Sequence, residues 1–125
     1  MAQQKLVLIV DDEPDFVELA QMALRDRYRC RTASSGEGCL KEVEKEMPDL
    51  IILDVMMSDL MDGLETAKRL RSQPAAKDIP IIMLTGINQS VDFRNQMEDD
   101  FPRDRWLDKP VSPAVILAEV EKLIG

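Results

Sequence analysis

The sequence predicts an α/β fold, a doubly wound five-stranded parallel sheet with helices on both faces. Two observations carry it. Short, almost wholly apolar runs of strand length alternate with segments of helical period, and the connections between them are short. With right-handed crossovers, such alternation brings every strand C-terminus to one edge of the sheet.

Leu6 to Val10 is the first strand, five apolar residues in a row, as expected of a strand buried on both faces. After Pro14, a favourable first helical residue, Phe16, Leu19, Ala20, Ala23 and Leu24 recur at three and four residues and predict a first helix. Tyr28 to Ala33 is a weaker strand. Ser34 followed by Glu37 forms a capping box ahead of Leu40, Val43 and Met47, a second helix closed by Pro48. Leu50 to Leu53 is the third strand. Asp62 and Glu65 repeat the capping spacing before Leu64, Ala67 and Leu70, and Ile79 to Leu84 is the fourth strand. From Asn88 to Asp104, Val91, Phe93 and Met97 anchor one or two helical turns, and Glu98-Asp99-Asp100 with Pro102 reads as loop. Arg105 to Leu107 is a short fifth strand. The last helix has Ser112 as N-cap, Pro113 at its first position, and Ile116, Val120, Leu123 and Ile124 on one face.

The 125 residues are expected to form one domain, 1–125, with no output domain visible among them. Against 24 acids stand 16 Lys and Arg, a net charge of -8, so nucleic acid and anionic membranes are unfavourable partners and proteins or cations favourable ones. The absence of histidine excludes Ser-His-Asp and Cys-His catalysis and His-ligated zinc. Cys30 and Cys39 form neither a CxxC motif nor a disulfide framework, which suits a reducing cytoplasm. No apolar stretch approaches the roughly 18 to 20 residues that span a bilayer. The turn at Gly36-Glu37-Gly38 has Lys41 where a dinucleotide fingerprint places its last glycine, and the eight methionines read as core filler.

What each strand runs into then decides the chemistry. The first meets Asp11 and Asp12, the third Asp54, the fourth Thr85, and the fifth leads through Asp108 to Lys109. Singly these are ordinary turn, cap and strand residues. Jointly they put three carboxylates, a hydroxyl and an amine on the edge where such sheets bind ligands. Acids so close repel one another and call for positive charge, which Mg2+ supplies with carboxylate ligands. A carboxylate is also a nucleophile toward phosphorus. Asp54, alone at the end of the central strand, is placed for that role, with Lys109 paired to the phosphoryl group and the Thr85 hydroxyl bonded to another of its oxygens.

These residues resemble the receiver domain of two-component response regulators. The likeness runs over nearly the whole chain, through "VLIVDDEPDF", "PDLIILDVMM", "MDGLE", "PIIMLTG" and "WLDKPV", in order. It implies the flavodoxin-like strand order 2-1-3-4-5, Asp54 as phosphoacceptor, and direct Mg2+ ligation by Asp12, Asp54 and the Met56 main-chain carbonyl, with Asp11 acting through water. It also implies Thr85 as switch hydroxyl, Lys109 as phosphate-binding lysine and Trp106 at the position of a rotamer-switching aromatic. The implied partners are a histidine kinase or histidine phosphotransfer protein and a downstream protein target, for a cytoplasmic monomer or phosphorylation-dependent dimer. Such a domain is not an enzyme beyond self-phosphorylation from small phosphodonors and autodephosphorylation.

The chain departs from the family pattern in places. One residue is added between Asp54 and Met61-Asp62-Gly63, Ser58 replaces the usual Pro, Gly86 replaces a common Ala, and Trp106 is larger than the usual aromatic. Two other readings remain open at this point. A pseudo-receiver would dock partners without accepting phosphate. A Mg2+-dependent aspartyl-phosphate phosphatase of the haloacid dehalogenase kind would want an acid two residues after its nucleophile, where this chain has Met56.

Overall fold

A computed structural model of the chain describes residues 4–55, 62–86 and 105–125. The elements are β1 (Leu6–Val10), α1 (Pro14–Leu24), β2 (Arg29–Ala33), α2 (Gly36–Lys45), β3 (Leu50–Asp54), α3 (Asp62–Ser72), β4 (Ile81–Thr85), β5 (Arg105–Asp108) and α4 (Pro113–Ile124). All strand pairs are parallel, in the order β2-β1-β3-β4-β5, as expected for the flavodoxin-like arrangement.

Strand alternation builds two cores from the same three apolar runs. Leu8, Val10, Ile51, Leu53, Ile81 and Met83 face α2 and α3, meeting Cys39, Val43, Leu64, Ala67 and Leu70. Val7, Ile9, Leu50, Ile52, Ile82 and Leu84 point the other way and meet Ala20 and Leu24 of α1 and Ile116 and Val120 of α4. Every residue of β1, β3 and β4 is buried. Each such aliphatic side chain contributes about 1.5–3 kcal/mol, so these three strands form a stiff platform whose ends hold still. The edge strands are different. β2 and β5 expose part of their residues, and arginines tie both to helices: Arg29 is bidentate to Glu46, and Arg105 to Glu119 of α4. Charged side chains on an edge also discourage pairing with another sheet.

Several boundaries differ from the sequence reading. The cap of α2 is Ser35, whose Oγ accepts from the Gly38 N–H at 3.0 Å, and not Ser34 of the expected capping box. Two adjacent serines offer the same chemistry, and the chain's path out of β2 selects the second. β4 begins at Ile81: Pro80 has no N–H to give the ladder, and the Ile79 N–H closes a turn onto the Ala76 carbonyl. α4 starts as expected, with Ser112 accepting from the Val115 N–H and Pro113 in its first turn. The expectations for Asn88 to Asp104, like those for Met56, Ser58 and Met61, concern residues outside the described ones.

One glycine matters for position. A Cβ on Gly63 would stand 2.4 Å from the Asp54 carbonyl oxygen and 2.6 Å from the Val55 Cα, so α3 enters directly against the backbone that carries Asp54. In an ordinary helix Gly→Ala gains up to about 1 kcal/mol. Here Gly63→Ala is expected to lose about 1–3 kcal/mol by overpacking, measured by urea denaturation.

Candidate functional site

At the C-terminal edge the structure brings the predicted residues together. Asp11 leaves β1 with its N–H bonded to the Ala33 carbonyl, and its Oδ1 accepts from the Glu13 N–H at 2.9 Å, an Asx turn that aims Oδ2 inward. Asp54 ends β3, secured where the Val55 N–H donates to the Leu84 carbonyl. Both aspartates are only 2% exposed. Lys109 follows β5, and its N–H donates to the Thr85 carbonyl at 2.7 Å, which joins the ends of β4 and β5. Its Nζ then lies 2.6 Å from Asp11 Oδ2, 3.3 Å from Asp54 Oδ2 and 3.3 Å from Glu13 Oε1. The same ammonium sits 4.6 Å from the centroid of the Phe16 ring, on α1, in cation–π geometry.

The cluster is short of positive charge. Burial pushes the Asp11 carboxyl above its usual range and the Asp54 charge adds to this, outweighing the Lys109 and Glu13 N–H hydrogen bonds that favour its ionised form. For Lys109, burial acts to lower the ammonium's pKa, but the Asp11 hydrogen bond and the charges of Asp54, Asp11 and Glu13 overcome it and raise the value. An isolated pair would lower the acid while raising the base. Here Asp11 moves the other way, because one ammonium is shared among several carboxylates and two of them are out of water.

The donor set fits a hard cation. Asp11, Asp12 and Asp54 each offer a carboxylate oxygen, all within 4.8 Å of one another. Ligands on opposite sides of a Mg2+ ion lie about 4 Å apart, so a small inward adjustment would let the three share one ion. With oxygen donors only, and neither histidine nor cysteine among them, the set is of the kind that suits Mg2+, Ca2+ or Mn2+.

Thr85 is 1% exposed, and its hydroxyl donates to Asp108 Oδ1 at 2.8 Å, on the β5 side of the sheet. Trp106 packs against the core cluster of the α2/α3 face, and its Nε1 has no hydrogen-bond partner among the described residues. The Met56 carbonyl lies outside the described residues. Three participants escaped sequence reasoning: Glu13, Phe16 and Asp108. Each stands beside a residue that was singled out or within five positions of one, but nothing in a sequence says which way its side chain turns.

Comparison with known proteins follows the same outline. The family profile described as the response regulator receiver domain matches residues 7–121. The alkaline phosphatase synthesis transcriptional regulatory protein PhoP of Bacillus subtilis is 41% identical over 121 residues, 96% of this chain and 48% of that protein. The transcriptional regulatory protein AfsQ1 of Streptomyces coelicolor is 35% identical over 119 residues, 95% of this chain and 50% of its own length. The chain thus spans about half the length of these two curated relatives. Among solved structures, the chemotaxis protein CheY4 of Vibrio cholerae superposes with a TM-score of 0.85 at 31% identity, covering 97% of this chain and 99% of that one.

The charge balance predicts a pH-dependent role for Lys109. Because the folded state raises the pKa of Asp11, stability from this group falls as pH climbs from the ordinary aspartate value of about 3.9 through the raised one. The raised Lys109 value instead gives stability that is present throughout neutral and acid pH and is lost only in strong alkali. Lys109→Met in metal-free buffer is therefore expected to cost about 1–3 kcal/mol at pH 7, and less as acidification protonates Asp11. Urea denaturation at the two extremes checks this, and an equal loss at both would contradict it.

Proposed function

The chain belongs to the response regulator receiver family, and from that membership we propose that Asp54 accepts a phosphoryl group from a histidine kinase or histidine phosphotransfer protein in the presence of Mg2+. The observation that carries this reading is the position of the Asp54 carboxylate, at the end of the central strand, 3.3 Å from the Lys109 ammonium and grouped with Asp11 and Asp12.

In the proposed transfer, an Asp54 oxygen attacks phosphorus, the phosphorus–nitrogen bond to the donor imidazole breaks, and the imidazole leaves with the bonding pair. Lys109 lies within reach of both the nucleophile and the incoming oxygens, so it orients Asp54 before transfer and balances charge after it. Magnesium held by Asp12, Asp54 and the Met56 carbonyl, with Asp11 acting through water, would neutralise charge on the transferring oxygens. The new group adds about -1.5 to -2 of charge, and Lys109 and the Thr85 hydroxyl are the donors placed to respond. Trp106, beside them on β5, is the proposed aromatic that follows the switch.

The output is a change in protein–protein contacts, through a shift between two pre-existing states. The chain does not act as an enzyme on other substrates under this reading; its own chemistry is uptake from small phosphodonors and autodephosphorylation. The two relatives compared above are named as transcriptional regulators, which makes control of transcription the leading candidate for the pathway served. A cytoplasmic location is part of the proposal. No helix among the described residues is long and apolar enough to cross a membrane.

Incubation with Mg2+ and a small phosphodonor, followed by intact mass, is expected to show one added phosphoryl group on the wild type and none on Asp54→Asn. Uptake by neither would point to a docking module, and steady release of phosphate from small esters to a phosphatase.

A further inference from the structure

Thr85 is drawn in a direction that the proposed switch does not require. β4 lies between β3 and β5, and the register sets Asp54 opposite Leu84 on one side and Thr85 opposite Asp108 on the other. The hydroxyl bonds toward β5, to Asp108 Oδ1 at 2.8 Å. An oxygen pointed at β5 is turned away from the β3 side where Asp54 stands. Threonine occupies discrete staggered χ1 wells, so redirecting Oγ1 toward Asp54 takes a hop of about 120° between wells rather than a gradual swing. The acceptor is a carboxylate, which makes the bond stronger than a neutral one. The donor is 1% exposed, so little water is at hand to replace the partner it would give up. Asp108 itself is exposed and contributes nothing to either core cluster.

We infer that Asp108 is a positioning residue that holds the Thr85 hydroxyl in a state unable to bind a phosphoryl group, so capture at Asp54 competes with the Thr85–Asp108 hydrogen bond. The inference rests on the receiver reading of Asp54 and Thr85. Its consequence is quantitative. If only the fraction of molecules with a released hydroxyl binds the group at full strength, the apparent affinity is lowered by that fraction, and removing the competing acceptor restores it.

Beryllium fluoride with Mg2+ serves as the phosphoryl mimic, and an amide NMR titration reports binding. Asp108→Ala is expected to tighten apparent affinity about tenfold, the change corresponding to one hydrogen bond to a charged acceptor. Asp108→Asn loses the same charge but keeps an acceptor oxygen, so its affinity is expected to fall between those of the wild type and Asp108→Ala. In a Thr85→Val background, Asp108→Ala is expected to change nothing. Three results would each overturn the inference while leaving the receiver reading intact: no tightening in Asp108→Ala, equal tightening by Ala and Asn, or tightening that survives in Thr85→Val. Failure of the wild type and every variant to bind the mimic would overturn both.

Discussion

Two carboxylates at adjacent strand ends, each 2% exposed, remain there only while positive charge is close by. Water solvates neither well, and each raises the cost of ionising the other. In this chain the Lys109 ammonium meets that need by reaching Asp11 and Asp54 together. It is itself held from outside by Glu13 and the Phe16 ring. Asp12, half-buried, adds a third acid to the group. The site thus holds together while keeping more carboxylates than cationic groups, which is the condition a metal-assisted phosphoryl acceptor requires.

The sheet makes this balance possible. β1, β3 and β4 bury every side chain, so the residues just beyond them have little freedom to drift. Gly63 brings α3 against the Asp54 backbone, and the hydrogen bond from Lys109 N–H to the Thr85 carbonyl joins the last two strands where the lysine turns inward. The edge strands carry polar residues and arginine–carboxylate pairs, so the rim tolerates change while the middle does not. Phosphorylation at such a place would alter charge at the stiffest point of the fold and be read out at its softer margins, β5 and the surfaces beside it.

Much of this was legible in the sequence, for physical reasons that also mark where legibility ends. Leu6 to Val10, Leu50 to Leu53 and most of Ile79 to Leu84 are apolar throughout because a central parallel strand is covered on both faces. Parallel pairing then puts Asp11, Asp12, Asp54, Thr85 and Lys109 on one edge with no further information. β2, with its sequence Arg-Cys-Arg-Thr-Ala, and β5 read weakly, since an edge strand needs no continuous apolar run. The choice of Ser35 over Ser34 turns on a single hydrogen bond from backbone to side chain, which composition does not encode, whereas the start of β4 at Ile81 follows from Pro80, which has no N–H to give the ladder. Glu13 and Phe16 reach Lys109 across more than ninety residues of chain, and Asp108 engages Thr85 by choice of rotamer.

The central claim is that the acids of this edge share a cation and that their repulsion is what binds it. Thermal or urea unfolding in a Mg2+ titration tests this most directly. At ten times the dissociation constant, a ligand bound only by the folded state adds about 1.4 kcal/mol; the wild type is predicted to gain that much, and Asp12→Asn far less. A wild type indifferent to Mg2+, or an Asp12→Asn variant stabilised equally, would contradict the account.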